Sequence, residues 1–276
     1  MNKLLCICVG TMILVTLCYC RQNESIKVED PTSLPVTMDD SSRAIINRAI
    51  TYAGGEVAWH NTKTISFDKK SISYDSTGNV SRQIDQHFDY MMVPQFKARA
   101  TYMIQDTSIT LIHDGRMARK FYNGKPSEEQ KDIDGAWNSC YGSQFVLCMP
   151  FKLKDPGITA TYMGEVKLKN GKDAQLIRTS YIKGAGSNPD HIWYYYFEPG
   201  TGKLLANSLN GKNNFWDYTT YESFERVGGL LLPGIRKSYK ADTLNSPGVL
   251  TSQSIQDNFV MNKPFKEDHF KIPDAF

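Results

Sequence analysis

His191-Ile192-Trp193-Tyr194-Tyr195-Tyr196-Phe197 runs into Glu198-Pro199-Gly200-Thr201-Gly202, and Lys203 to Leu209 follows before Asn210-Gly211. Aromatic and aliphatic residues fill the two runs, and each break is a cluster of turn formers. The stretch reads as two strands with a short connection. So few residues cannot carry the chain back to start a parallel neighbour, so the pair is antiparallel. Alternation places Trp193, Tyr195 and Phe197 on one face and Tyr194 and Tyr196 on the other. Core packing and cross-strand aromatic pairing account for such a string before any ligand is invoked.

The same pattern extends in both directions. Upstream, Ala160 to Lys169 turns at Asn170-Gly171 into Asp173 to Ile182; downstream lie Phe215 to Phe224, Leu230 to Tyr239 and Val249 to Phe259. The first half repeats it with Thr62 to Phe67, Arg82 to Tyr90 and Phe96 to Ile104. Thr107 to His113 and Arg116 to Tyr122 form a hairpin about Asp114-Gly115. An aromatic content of 12% agrees with a β-rich chain.

Two segments break the alternation. Asp39-Asp40-Ser41-Ser42 offers N-caps to a helix carrying Ala44, Ile45, Ala49, Tyr52 and Ala53, widened by Ile46 and Ile50 and stopped at Gly54-Gly55. Trp137, Cys140, Tyr141, Phe145 and Cys148 recur at helical spacing over Ala136 to Met149, and Pro150 ends the run. The expected fold is therefore α+β and β-rich. It is a single curled antiparallel sheet, a half-open barrel, covered by an N-terminal helix and a mid-chain helix. A sheet this wide must curl, and its concave apolar face must be covered. No internal linker or repeat divides it, so residues 39–276 are expected to form one domain.

The chain opens with Met1-Asn2-Lys3 and an uncharged run from Leu4 to Leu17. A run of roughly 14 residues has signal-peptide length and falls short of the ~20 that span a bilayer. Leu17-Cys18-Tyr19-Cys20 resembles a lipobox, with Tyr19 bulkier than the usual small residue. The expectation is a signal peptide over 1–19, lipid attachment at Cys20, and a polar tether over 20–38 that holds Pro31 and Pro35. An ordinary secreted protein, or an uncleaved anchor, is the alternative. A formal net charge of +3 is too small to imply nucleic acid. Cys140 and Cys148 are the only cysteines in the part expected to fold. Eight helical residues would separate them by about 12 Å, beyond disulfide reach, so two buried thiols are expected.

Phe151-Lys152-Leu153-Lys154-Asp155-Pro156-Gly157, Ile192 to Pro199 with Thr201-Gly202-Lys203-Leu204, and Ile45 to Ile50 with Gly54-Gly55 resemble a family of uncharacterised bacterial envelope proteins. Many of these are predicted lipoproteins. That family in turn looks like the outer-membrane lipoprotein carrier and receptor proteins of the LolA/LolB-like fold. The resemblance implies a half-open barrel with a helical lid that holds acyl chains. It spans most of the chain after about Ser41. No functional residue of those proteins matches a position here, and none is carried over.

Catalytic signatures are missing. There is no G-x-S-x-G elbow, H-E-x-x-H, Walker loop or dinucleotide fingerprint. His60, His87, His113, His191 and His269 are too widely spaced for a local zinc site. His113-Asp114 reads as a turn, and Ser139-Cys140 lies on a buried helix face. Glu165, Asp173 and Glu198 lie by turns, where carboxylates are solvated. An extracytoplasmic hydrolase would need a histidine and carboxylates to converge in one cleft.

The expectation is a non-enzymatic, monomeric, lipid-anchored protein of the bacterial envelope, at the outer membrane or its periplasmic side. It would bind a hydrophobic ligand, a lipid, an acyl chain or a lipoprotein segment, in the concave sheet. Trp59, Trp137, Trp193, Tyr195, Phe197 and Trp216 are the candidate lining residues. No cofactor, metal, disulfide or nucleic-acid partner is expected. The alternative is a structural or interaction module with a filled core.

Overall fold

A computed structural model describes residues 34–182, 191–211, 215–244 and 246–273. The signal, Cys20 and most of the tether lie outside the described residues. The chain runs β1 (Thr37–Met38), α1 (Asp40–Tyr52), α2 (Gly55–His60), β2 (Thr64–Tyr74), β3 (Val80–Met91), β4 (Lys97–Ile104), β5 (Thr107–His113), β6 (Ala118–Tyr122), β7 (Lys125–Pro126) and α3 (Gln130–Leu147). A 3-10 turn at Phe151–Lys154 leads to β8 (Ile158–Lys167), β9 (Asp173–Tyr181), β10 (Ile192–Phe197), β11 (Leu204–Asn210), β12 (Trp216–Val227), β13 (Leu230–Ala241) and β14 (Pro247–Met261).

All the strands belong to one 14-stranded sheet of order β1-β8-β9-β10-β11-β12-β13-β14-β2-β3-β4-β5-β6-β7. Each half is a meander of hairpins, as the turn chemistry requires. The halves are joined where the last strand meets the first long one: Ser252 faces Ser73 and Asp257 faces Asp68, antiparallel. A bulge then shifts the register to Val260↔Ser66. Asn258 takes the left-handed conformation there (φ 53°), which Asn tolerates, and its Nδ2 donates to Asp68 Oδ2 at 2.9 Å. Among the described residues the one parallel pairing is β1 with β8, Thr37↔Thr159 and Met38↔Ala160. The folded part thus begins before Asp39, since the end of the expected tether is a sheet edge.

The sheet is curled and not closed, and the helices lie on its concave face. α1 starts where predicted, with Asp39 accepting from Ser42 N at 2.8 Å. It buries Ile45, Ile46, Ala49 and Ile50. Gly54-Gly55 ends it, but α2 begins at once, which the sequence reading missed. α3 begins six residues before the predicted Ala136, at Gln130. Its first turn is tied to β6 through Asp132, which accepts from Lys120 Nζ (3.0 Å), Tyr122 OH (3.0 Å) and Ser127 Oγ (2.7 Å). Those bonds, Ser127 first and then Lys120, hold its carboxyl down at about 2.

One core unites α1, α3 and the concave face, through Ile65, Phe67, Phe88, Tyr90, Tyr195, Phe197, Leu230 and Leu232. A second, smaller core on the outer face gathers Leu176, Tyr196, Leu205, Ala206 and Tyr218. Tyr196 OH and Ser208 Oγ both donate to Leu244 O, at 2.7 Å each, which straps the β13–β14 connection over that face. The alternation read from Trp193 to Phe197 is the observed one.

Two glycines let α1 close one end of the trough. Gly54 (φ 118°) brings the helix end onto the β12–β13 turn; a Cβ there would lie 2.3 Å from Gly229 O. Leu231 N donates to Ala53 O at 2.8 Å beside it. Gly202 (φ 77°) sets the β10–β11 turn against Arg48 and Ala49 in the same way. Gly54→Ala is expected to cost on the order of 3 kcal/mol, because strain and a backbone clash add. Gly55→Ala (φ 87°), with nothing near its Cβ position, should cost about 1 kcal/mol. Urea unfolding of the two variants checks the difference.

Candidate functional site

Along β2 the concave side chains read Ile65, Phe67, Lys69 and Ser71, and along the facing β3 they read Tyr90, Phe88, Gln86 and Ile84. β13 shows Leu230 and Leu232, then Arg236 and Ser238; β10 shows Phe197, Tyr195 and Trp193. The trough therefore has an apolar floor at the α1 end, and its walls turn polar away from it. Stacked rings make the floor continuous: Phe67 lies 5.3 Å from Phe88 and 5.5 Å from Phe259.

α3 roofs this trough. At one side it rests on β5 and β6, where Trp137 lies 4.6 Å from the His113 ring. At the other, Phe145 reaches Trp193 (5.7 Å) and Tyr181 (6.1 Å) on β10 and β9. Between them Ser143 accepts a long 3.4 Å contact from Lys69 Nζ. Cys140 and Cys148 are free and buried beneath it, and burial pushes each thiol up to about 12, which leaves them inert.

The interior polar groups are under-satisfied. Tyr90, Tyr195 and Tyr221 are at most 5% exposed; the hydroxyls of Tyr195 and Tyr181 find no hydrogen-bond partner among the described residues, and those of Tyr90 and Tyr221 lie against Ser143 and Arg236 without closing a well-formed bond. Thr179 Oγ1 and Gln144 Oε1 also make no hydrogen bond among the described residues. Burial raises all four phenols, Tyr90 and Tyr195 far above the ordinary tyrosine value. Buried polar atoms are nearly always paired, so such a concentration on one surface is unusual.

Of the six candidates, Trp193, Tyr195 and Phe197 line the trough wall. Trp137 sits on the roof, and Trp59 closes the wall by stacking on Phe151 at 4.6 Å. Trp216 does not join them. It packs against Tyr194 on the outer face, 5.8 Å between rings, as part of the second core. Trp216 shares its parity with Phe224, which packs on the concave core, but register shifts between Tyr221 and Phe224 put the two on opposite faces, and that irregularity could not be placed from sequence. Sequence reasoning missed Tyr90, Tyr181, Tyr221, Lys69 and Arg236. A signal was present for the two cations: Lys69 follows Ile65 and Phe67, and Arg236 follows Leu230 and Leu232, at even spacing.

The other convergence of titratable groups is on the outer face. His87 bonds Asp68 (2.6 Å) and Asp89 (3.2 Å), and His269 from the C-terminal segment bonds Asp89 (2.8 Å). The hydroxyl present, Ser66, donates to Asp89 and to neither imidazole. A nucleophile needs its base within hydrogen-bond reach, so this is a strap anchor rather than a catalytic set. Among the described residues no group of His, Cys, Asp and Glu has the arrangement to hold a metal ion. Asp173 pairs with Lys167 (2.6 Å) in its hairpin and Glu198 accepts from Thr201 (2.6 Å), so those carboxylates do not converge.

A family model described as "Family of unknown function (DUF6503)" matches residues 34–214. No curated protein matches the sequence. Three solved structures share the fold. A DUF1329 family protein from Desulfovibrio piger is 10% identical over 84% of this chain and 98% of its own, with a TM-score of 0.54. A LolA superfamily protein from Nitrosomonas europaea is 8% identical over 84% and 97%, at 0.53. A putative outer membrane lipoprotein-sorting protein domain from Vibrio parahaemolyticus is 9% identical over 84% and 96%, at 0.52. The fold is thus LolA-like, the half-open barrel that the sequence resemblance implied.

Lys69 gives the site a measurable signature. Burial, then the nearby Arg236 charge, lowers its amine to about 8. Between that value and the ordinary lysine range the unfolded chain holds more protons than the folded one, so stability rises with pH across that window. Lys69→Met should abolish this rise and stabilise the protein at pH 7 by about 1 to 2 kcal/mol. That lies below the ~3 kcal/mol of the full shift because solvent still reaches the amine. Denaturant melts from pH 7 to 10.5 read both effects.

Proposed function

The chain belongs to DUF6503, a family of unknown function, and on that premise we propose that it holds a hydrophobic ligand in the roofed trough of its curled sheet. The observation that carries this reading is the trough itself. An apolar ring-lined floor lies beneath a helix, and four tyrosine hydroxyls at its walls close no well-formed hydrogen bond. A self-contained core would bury apolar atoms or pair its polar ones. Here the rings are buried but hydroxyls are left unpaired, which suits a ligand with a long apolar body and a few polar atoms. Lipid, acyl chain and lipoprotein segment all have that character, and one solved protein of the same fold is named a lipoprotein-sorting domain.

The same reading places the protein in the bacterial envelope as a monomer without catalytic activity, anchored by a lipid on Cys20 after removal of residues 1–19. An anchored protein with such a trough acts as a receptor or sensor rather than as a shuttle. Among the described residues no helix is long and apolar enough to cross a membrane.

Trp193 lines the trough while Trp216 lies on the outer face, so tryptophan quenching locates the ligand. A brominated fatty acid should quench the fluorescence of the protein, and Trp216→Phe should leave the quenched component in place. Trp193→Phe combined with Trp137→Phe should remove most of it. No quenching, or quenching that disappears with Trp216 instead, rejects the trough as the binding surface.

A further inference from the structure

Two positive charges stand on the concave face at the level where the apolar floor ends. Lys69 on β2 lies directly across from Gln256 on β14, and Arg236 on β13 lies across from Ser254. With its amide oriented to satisfy both ends, Gln256 accepts from Arg236 Nη2 (3.0 Å) and Ser254 Oγ (3.2 Å) and donates to Gly234 O (2.9 Å). The amide oxygen thus holds the guanidinium from the strand that separates the two cations. Arg236 Nε is buried and makes no well-formed hydrogen bond, and the Tyr221 hydroxyl on the neighbouring strand, directly opposite Arg236, makes none either although the guanidinium lies against it. Lys69 Nζ sits 5.5 Å over the Phe88 ring and touches only Ser143 Oγ, at 3.4 Å.

Among the described residues neither cation has a carboxylate partner; the acidic groups of β2 and β3, Asp68, Asp85 and Asp89, pair on the outer face. Two like charges brought together in a desolvated wall repel, and they persist there at a cost to folding. Arg and Lys flanked by phenol donors form the donor set that receives a carboxylate or a phosphate.

Resting on the trough reading, the geometry points to an anionic amphiphile as the ligand, its tail on the Phe67–Phe88–Phe259 floor and its carboxylate or phosphate head between Lys69 and Arg236, with the Tyr90 and Tyr221 hydroxyls donating to it. The head then neutralises the paired cations, and the tail lies where the rings are. A neutral lipid of equal length would fill the floor and leave both charges uncompensated.

The test measures displacement of a fluorescent acyl probe from the full-length chain at pH 7 by four competitors: hexadecanoic acid, hexadecyl monophosphate, hexadecanol and inorganic phosphate. The acid and the monophosphate should compete at about ten-fold or lower concentration than the alcohol. That ratio should fall towards one in Lys69→Met with Arg236→Met, and should be kept in Arg236→Lys, which preserves charge. Lys69→Met alone, expected to fold well, should lower it by itself. Equal competition by acid and alcohol in the parent protein, or a ratio that survives loss of both charges, overturns the head assignment while the trough reading stands. Competition by inorganic phosphate alone overturns the amphiphile in favour of a free anion. Failure of every chain-bearing competitor rejects the trough reading, and this inference with it.

Discussion

The pairing of β14 with β2 is the constraint on which the other features depend. Each half of the chain is a meander with an open edge at both ends, and an unpaired edge exposes a row of backbone donors and acceptors. Joining the last strand to the first long one removes two of those edges and makes one surface of the two halves. Asn262 extends the seam: its Oδ1 accepts from Lys63 N at 2.7 Å, and its N donates to Thr64 O at 2.9 Å. Only because of that seam do Lys69, from the first meander, and Arg236, from the second, stand two strands apart on one wall.

The curl that follows forces a division of labour between the faces. On the concave side α1 shuts one end and α3 spans the gap, so the floor is dry and the hydroxyls of the wall lose water. The outer side is treated differently: the Leu244 connection straps one half, and the C-terminal segment straps the other through His269 and Asp89. These straps cover apolar surface and satisfy their polar atoms. The concave wall leaves several of its own unsatisfied. The two faces of one sheet thus differ in how completely their polar atoms are paired.

The helical roof is held at points rather than along its length. Asp132 fastens its start to β6, and Phe145 meets Trp193 and Tyr181 across the trough through ring contacts alone. Hydrogen-bonded charge fastens one end and apolar ring contacts hold the other, with Ser143 set against Lys69 between them. Cys140 and Cys148, small and apolar, keep the roof close to Tyr90.

What the sequence determined by itself was local. Period-two alternation and turns such as Asn170-Gly171 and Asp114-Gly115 gave the strands and their antiparallel sense. Period-3.6 spacing gave α1 and most of α3, because side-chain periodicity is a property of consecutive residues. The faces of Trp193, Tyr195 and Phe197 were legible for the same reason. Only the tertiary structure decided what depends on non-local contact. It joined the meanders at β14 and β2, and it sent Trp216 to the outer face past a bulge whose place no pattern marks. It also brought Lys69, Arg236 and four tyrosines from six strands together under one helix. Their meeting rests on register between strands about 180 residues apart, and register is set by which edges pair and how the sheet curls, neither of which is written in any single stretch of chain.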